Sequence, residues 1–200
     1  MNKIITLILI ICSISLLGQR NWKIQTSKNG KITVKSEIVN TENGKTIYYI
    51  AETITDISLE KAEKILRNSN THKNFLENTT ESREIEKKSK DKWSTYFYFD
   101  APWPVPNSDA VQEFTLSKTA NSLTVSGIST PNAFKTTKVK RMKNYDISYH
   151  FKKVENNKTK LIISATFSPI GSVPKFLLNG WFPKGPAGIA SRLIKEISKK

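Results

Sequence analysis

Proline stands at every second position over residues 102–106 (Pro102, Pro104, Pro106), with Trp103 and Val105 between, inside FDAPWPVPNSDAV at residues 99–111. Proline has no N–H to give to a ladder, so this run cannot lie within a sheet; it is a stiff bridge at an edge or between strands. Both flanks carry strand-like patterns, so the bridge holds a large aromatic and a branched residue at one fixed place. Such a pair suits the wall or rim of an apolar space better than a catalytic centre.

Most of the remaining chain reads as strand. Residues 31–39 alternate Ile32, Val34 and Ser36 with polar neighbours, residues 46–55 are rich in β-branched and aromatic types, and Gly44 supplies the turn between them. Ser58 is an N-cap, with Glu60 in the first turn and an apolar stripe of Leu59, Ala62, Ile65 and Leu66, which predicts a helix. A short second helix is expected over 71–76. Trp93, Thr95, Phe97 and Phe99 share one face of the next strand, with Tyr96 and Tyr98 on the other. Strands follow over 109–118, 122–129, 136–142, 146–154 and 159–168, and EKKSKDK at 86–92 reads as a solvated hairpin turn. The end turns helical over 173–181 and 187–198, with Pro183, Gly185 and Pro186 breaking the element between. The expected class is α+β: a curved antiparallel sheet wrapped on a long, kinked C-terminal helix, which can leave a hydrophobic tunnel in place of a packed core.

Residues 1–19 stand apart. MNK is a short basic start, residues 4–17 are apolar, and Gly18 and Gln19 follow; a bilayer span needs about 20 residues, so the run reads as a secretory signal, with a retained anchor as the alternative. Cys12 is the one cysteine and follows Ile11, which argues against lipidation. Its removal with the leader leaves the domain at 20–200 without thiol chemistry or disulfide support, and the expected location is periplasmic or secreted. The formal charge is +15, of which Lys3 and Arg20 hold two, leaving +13 on residues 21–200. After export, nucleic acid is not an expected partner, and the excess is either a solvated face or one that meets anionic lipid.

Catalytic and metal patterns are lacking. His72 and His150 lie far apart with no second ligand at helical or hairpin spacing, so each is expected as a surface or half-buried side chain. No dinucleotide, P-loop, nucleophile-elbow or zinc-protease run occurs, and neither metal nor cofactor is expected. Asp109, at the head of a strand, is expected to fix a turn. Arg141 shares a face with Val139, opposite Lys138 and Lys140. If that face is interior, its guanidinium needs a carboxylate or carbonyl partner; if the strand is an edge, both faces are wet. The positive signal is aromatic: Trp93, Phe97, Phe99, Trp103, Phe114, Tyr149, Phe151 and Phe167 are either ordinary core or the lining of a ligand cavity.

PWPVPNSDAV resembles the P-W-P-x-x-x-R-D segment of START domains, the lipid-transfer members of the START/Bet v1-like helix-grip superfamily, and residues 171–194 (GSVPKFLLNGWFPKGPAGIASRLI) are similar to that family's ending. Trp22, the IT-V-KS of the first strand and VKR at 139–141 agree more weakly, so the resemblance spans about residues 22–200. It implies a tunnel for one lipid or sterol-like molecule, walled by the aromatics above with Val105, Ser108, Arg141, Leu177, Trp181, Ile189 and Leu193. It also implies that the C-terminal helix is a gate opening at a membrane, with Pro183, Gly185, Pro186 and Gly188 as hinge candidates and Phe75 as a membrane-inserting aromatic. A static kink is the alternative for those prolines and glycines. Lys184, Arg192, Lys195, Lys199 and Lys200 could bring that end to an anionic surface at about 1 kcal/mol each. Ser108 stands where the family has an arginine that orients a ligand's polar group, which leaves the headgroup open; Arg141 is the candidate replacement.

The expected function is therefore an exported, monomeric, non-enzymatic protein that binds or carries one lipid. A cyclase- or hydrolase-like enzyme in the same cavity is the alternative. Its loose acid–base candidates, His150 and Asp146, share a face opposite Ile147 and Tyr149. A third reading is a scaffold module whose basic face binds polyanions.

Overall fold

The computed structural model describes residues 20–42, 44–135 and 139–199. The leader expected at 1–19, the 136–138 part of the strand expected over 136–142, and Lys200 lie outside the described residues.

One sheet carries the molecule. Its strands are β1 (Lys23–Thr26), β2 (Thr33–Thr41), β3 (Gly44–Thr55), β4 (Thr79–Lys87), β5 (Lys92–Phe99), β6 (Ser108–Lys118), β7 (Ser122–Ser129), β8 (Lys140–Arg141), β9 (Tyr145–Lys153) and β10 (Thr159–Phe167). They run in the order β1-β2-β3-β10-β9-β7-β6-β5-β4, antiparallel along the path, with β8 pairing in parallel to the start of β6. The sheet is curved and unclosed, with β1 and β4 at its edges. Between β3 and β4 lie α1 (Leu59–Arg67) and a 3-10 turn (Ser69–Asn74); α2 (Lys175–Trp181) and α3 (Lys184–Ile197) end the chain. Ser58 caps α1, its hydroxyl accepting from the Lys61 N–H at 3.2 Å. Helix α3 lies along β2 and β3 and touches α1, burying Ala187, Ile189, Ala190, Leu193 and Ile197. This is the expected α+β helix-grip arrangement.

Several elements differ from expectation. Edge strands β1 and β4 carry no clear alternation to announce them, because most of their residues are polar and Ile24, the apolar residue of β1, is exposed. The helix expected over 71–76 is the 3-10 turn, started by the Asn68 side chain accepting from the Asn70 N–H. The break between the last two helices falls at Phe182 and Pro183, while Gly185 and Pro186 belong to the first turn of α3. Proline is harmless there because first-turn N–H groups have no partner within the helix. Of the strand expected over 136–142, only Lys140 and Arg141 pair with the sheet among the described residues.

The inner face of the sheet has two depths. At one end the side chains interlock: Trp93 on β5 stacks on Phe114 of β6 at 5.5 Å and 12°. Across β6, Phe114 faces Gly127 of β7, where a Cβ would come within 2.6 Å of the Phe114 ring. Glycine here is the space that the phenyl ring occupies. Phe97, Phe151, Leu161 and Leu193 complete this packed end, all fully buried. His72 and Phe75 close it from the 3-10 side; both are wholly buried. Burial lowers the His72 imidazole from 6.5 to about 4, since it lies among the Phe75, Phe97 and Phe114 rings with one bond, to the Leu66 carbonyl. The expectation of a surface or half-buried side chain holds for His150 and is corrected for His72, which the aromatic cluster encloses.

Candidate functional site

At the other end the same face opens. Inward residues of β6 shrink from Phe114 through Gln112 to Ala110 and Ser108, while β7 stops at Ser129, so neither strand fills the space. The result is an apolar cavity of about 670 Å³, within the ordinary range for a site that encloses a small molecule. Tyr49 of β3, Phe99 of β5, Tyr145 of β9 and Phe167 of β10 form the sheet side; Leu177, Trp181 and Ile189 form the helical side. The proline bridge supplies the rim. Its shape is held by Ala101 N–H donating to Asn107 Oδ1 at 3.1 Å and Val105 N–H donating to the Pro102 carbonyl at 3.0 Å. Trp103 on this rim is 93% exposed, and Phe176 of α2, on the facing lip, is 71% exposed.

Trp181 joins the two sides. Its ring meets Tyr49 and Phe167 edge-on, each at 5.8 Å, and its indole N–H donates to Glu77 Oε2 at 2.8 Å. The indole lies directly over Gly185, where a Cβ would stand 1.8 Å from Trp181 Cε2. Gly185 is thus a contact point rather than a free hinge. Gly185→Ala is expected to push the indole off this seat, lowering stability by about 1–3 kcal/mol and breaking the Glu77 bond. Thermal unfolding and Trp fluorescence check it, and an unchanged emission maximum would count against it.

Charge is nearly absent from the cavity wall. Glu77 is its one ionisable carboxylate among the described residues, and it is engaged with Trp181. Burial pushes the Tyr49 and Tyr145 phenols well above their usual range, so both stay protonated. Outside, sharing Pro169, Ile170 and Val173 with the cavity wall, lies a groove with Lys45, Lys140 and Lys143 and no acidic residue among those that line it. A third hollow, beside α1, is a charged surface cleft in which Arg67 pairs with Glu84 and Lys118 with Glu63.

The structure brings eight of the expected wall residues together on the cavity: Phe99, Trp103, Val105, Ser108, Phe167, Leu177, Trp181 and Ile189. Six others are not among the residues that line it. Trp93, Phe97, Phe114, Tyr149, Phe151 and Leu193 face inward as alternation requires, but at the packed end, where they contact one another and the helices. Arg141 is on the opposite face of the sheet. Its Nε and Nη2 donate to the two carboxylate oxygens of Asp109, each at 2.8 Å, and Nη1 donates to the Pro131 and Phe134 carbonyls. So Arg141 is held as an interior residue needing a partner would be, and cannot stand in for the arginine replaced by Ser108. Asp109 is not a turn-former but the fully buried half of this pair.

The gate candidates separate too. Phe75, expected to insert into a membrane, is fully buried against Tyr149 at 6.0 Å. Pro183 marks the α2–α3 junction, Pro186 is buried, and Gly188 lies beside Arg192. Arg192 Nε donates to the Phe75 carbonyl, which ties it to the 3-10 side, and Lys199 pairs with Glu196. Wall residues that sequence reasoning missed include Tyr49, Leu76, Glu77, Met142, Tyr145 and Ile170. They come from a strand interior (Tyr49), a strand start (Tyr145) and loops (Glu77, Ile170), so no single sequence pattern marks them.

No family model and no curated protein matches this sequence. Solved structures do. A STAR-related lipid transfer protein from Xanthomonas axonopodis is similar with a TM-score of 0.74 and 22% identity, over 89% of this chain and 99% of that one. Human StAR-related lipid transfer protein 5 is similar with a TM-score of 0.72 and 14% identity, over 96% of this chain and 91% of that one. A Streptomyces aromatase/cyclase is more distant, with a TM-score of 0.55 and 7% identity, over 76% of this chain and 93% of that one. At these identities the likeness is one of fold: the chain has a START-like helix-grip fold.

Proposed function

We propose that this protein is an exported carrier that holds one hydrophobic molecule, of lipid class, in the cavity beside Trp181 and exchanges it at an anionic membrane. The observation that carries the reading is the apolar cavity of about 670 Å³ with two exposed aromatic lips, Trp103 and Phe176. Burying an acyl chain in such a space is worth about 0.8 kcal/mol per methylene, enough to retain a long lipid without covalent chemistry. The lipid-transfer proteins of the same fold support the ligand class, and the apolar run at 4–17 supports export.

Release needs a part that moves. Helix α2 fits that role better than α3: it buries only Leu178, whereas α3 buries most of one face. Elements with few buried contacts open at low cost. The α2 lip therefore swings about the Phe182–Pro183 junction while α3 stays gripped. Trp103 and Phe176 enter the membrane at the mouth, and Lys45, Lys140 and Lys143 beside it meet anionic headgroups. A carrier rather than an enzyme is favoured because, among the described residues, Glu77 shares the wall with no second carboxylate, histidine, lysine or arginine. His150 bonds Thr124 and Asp146 bonds the Ser129 N–H, both on the outer face.

Native mass spectrometry of protein purified from its own host, followed by solvent extraction, tests the reading: a bound lipid is expected, and a clean apo mass across several preparations would overturn it. Trp103→Glu with Phe176→Glu is expected to weaken binding to phosphatidylglycerol vesicles by at least about tenfold while leaving the melting temperature unchanged, since both side chains are exposed. Unaltered vesicle binding would remove these two residues from the contact. Binding to heparin without extractable lipid would favour the polyanion reading instead.

A further inference from the structure

Three tyrosines occupy neighbouring inward positions where the cavity meets the packed core. Across β10, Tyr49 of β3 and Ile147 of β9 flank Ala165, and Tyr145 and Tyr149 stand one inward position to either side of Ile147. Strands lie about 4.8 Å apart, so β3 and β9 are separated by about 10 Å, with the small Ala165 between them. Its inward neighbours on β10, Ile163 and Phe167, are large. Tyr49 and Tyr145 line the cavity, while Tyr149 lies one rung deeper, against Phe75.

Tyr149 Oη is buried and has no hydrogen-bond partner. An unmet buried hydroxyl is costly, and interiors rarely retain one without a use. Burial raises the pKa of all three phenols. They are hydrogen-bond donors at every physiological pH. The Glu77 carboxylate also raises Tyr49, so the same place disfavours a second negative charge.

Resting on the carrier reading above, we infer that Tyr49, Tyr145 and Tyr149 form a donor floor that selects, among hydrophobic molecules, those ending in an uncharged oxygen acceptor such as an ester or ketone carbonyl, with that end innermost. The aliphatic remainder then runs outward past Phe167 and Trp181 to the lips.

The test is the equilibrium partition of hexadecane, methyl palmitate and palmitate into the full chain, Tyr149→Phe and Tyr49→Phe. Each substitution removes one oxygen and keeps the ring. Methyl palmitate is expected to lose about fivefold in affinity in either variant, and hexadecane less than about twofold. Palmitate is expected to bind the unaltered protein more weakly than its methyl ester. If the ester-to-alkane ratio is unchanged in both variants, or palmitate matches its ester, this inference falls while the carrier reading stands. If neither hexadecane nor methyl palmitate enters the unaltered protein, the carrier reading itself falls. A purely structural phenol would alter the melting temperature and leave the ratio alone.

Discussion

Asp109→Ala is expected to cost about 3–5 kcal/mol, because it leaves the Arg141 guanidinium buried without its counter-charge. The carboxylate is wholly buried and the arginine side chain only 14% exposed, so water cannot take the lost partner's place. Damage would spread to the cavity. Met142, which lines it, donates its N–H to the Asp109 carbonyl at 2.8 Å, and Arg141 holds the Pro131–Phe134 loop over Tyr96. Asp109→Leu combined with Arg141→Met should be far milder, since both desolvated charges go together. Urea unfolding of the three proteins decides it. A loss below about 1 kcal/mol in the single variant would show that the pair is not buried as described.

The second large effect is a loss of stability on mild acidification. In the folded chain His72 takes a proton only near pH 4; in the unfolded chain it does so near 6.5. Between these values the unfolded state binds more protons, so stability is complete above about pH 6.5 and falls as pH drops toward 4, by up to about 3 kcal/mol. Glu52, Glu113 and Glu196 are held below their usual 4.5 by hydrogen bonds to lysines, so their stabilisation is lost only further down. The slope between about pH 6.5 and 5 therefore belongs to His72. In His72→Leu that slope should flatten. A stability curve with the same slope in both proteins would contradict the imidazole's burial.

Alternation and punctuation made most of the sheet legible. On β9 the inward set Tyr145, Ile147, Tyr149 and Phe151 follows from period two alone, and so does the outward set with Asp146 and His150. The bridge was legible for another reason: three prolines leave its backbone almost no freedom, so Trp103 and Val105 could be placed on a rim. Depth was not legible. Trp93 and Phe99 occupy the same face of β5, yet one stacks in the core and the other borders the cavity. What separates them is the partner across the sheet, Phe114 for Trp93 and Ser108 for Phe99. That pairing depends on register, which a single strand's pattern does not contain. Phe75 failed for another reason: its membrane-inserting role was implied only by the family resemblance, and the 3-10 turn and α3 bury it.

The pairing of β3 with β10 also dictates a timetable for the nascent chain. The β2–β3 hairpin emerges from the ribosome with its inward Ile47, Tyr49 and Ala51 beside an unpaired ladder. Its neighbour follows only after about a hundred residues, which at ~5–20 residues per second is ~5–20 s. Until then one flank of the hairpin is an open template for stray strands, and chaperone cover has the most to do. The same delay keeps the polypeptide unlocked until its final quarter appears. Any process that needs it loose, threading across a membrane among them, must act within that interval.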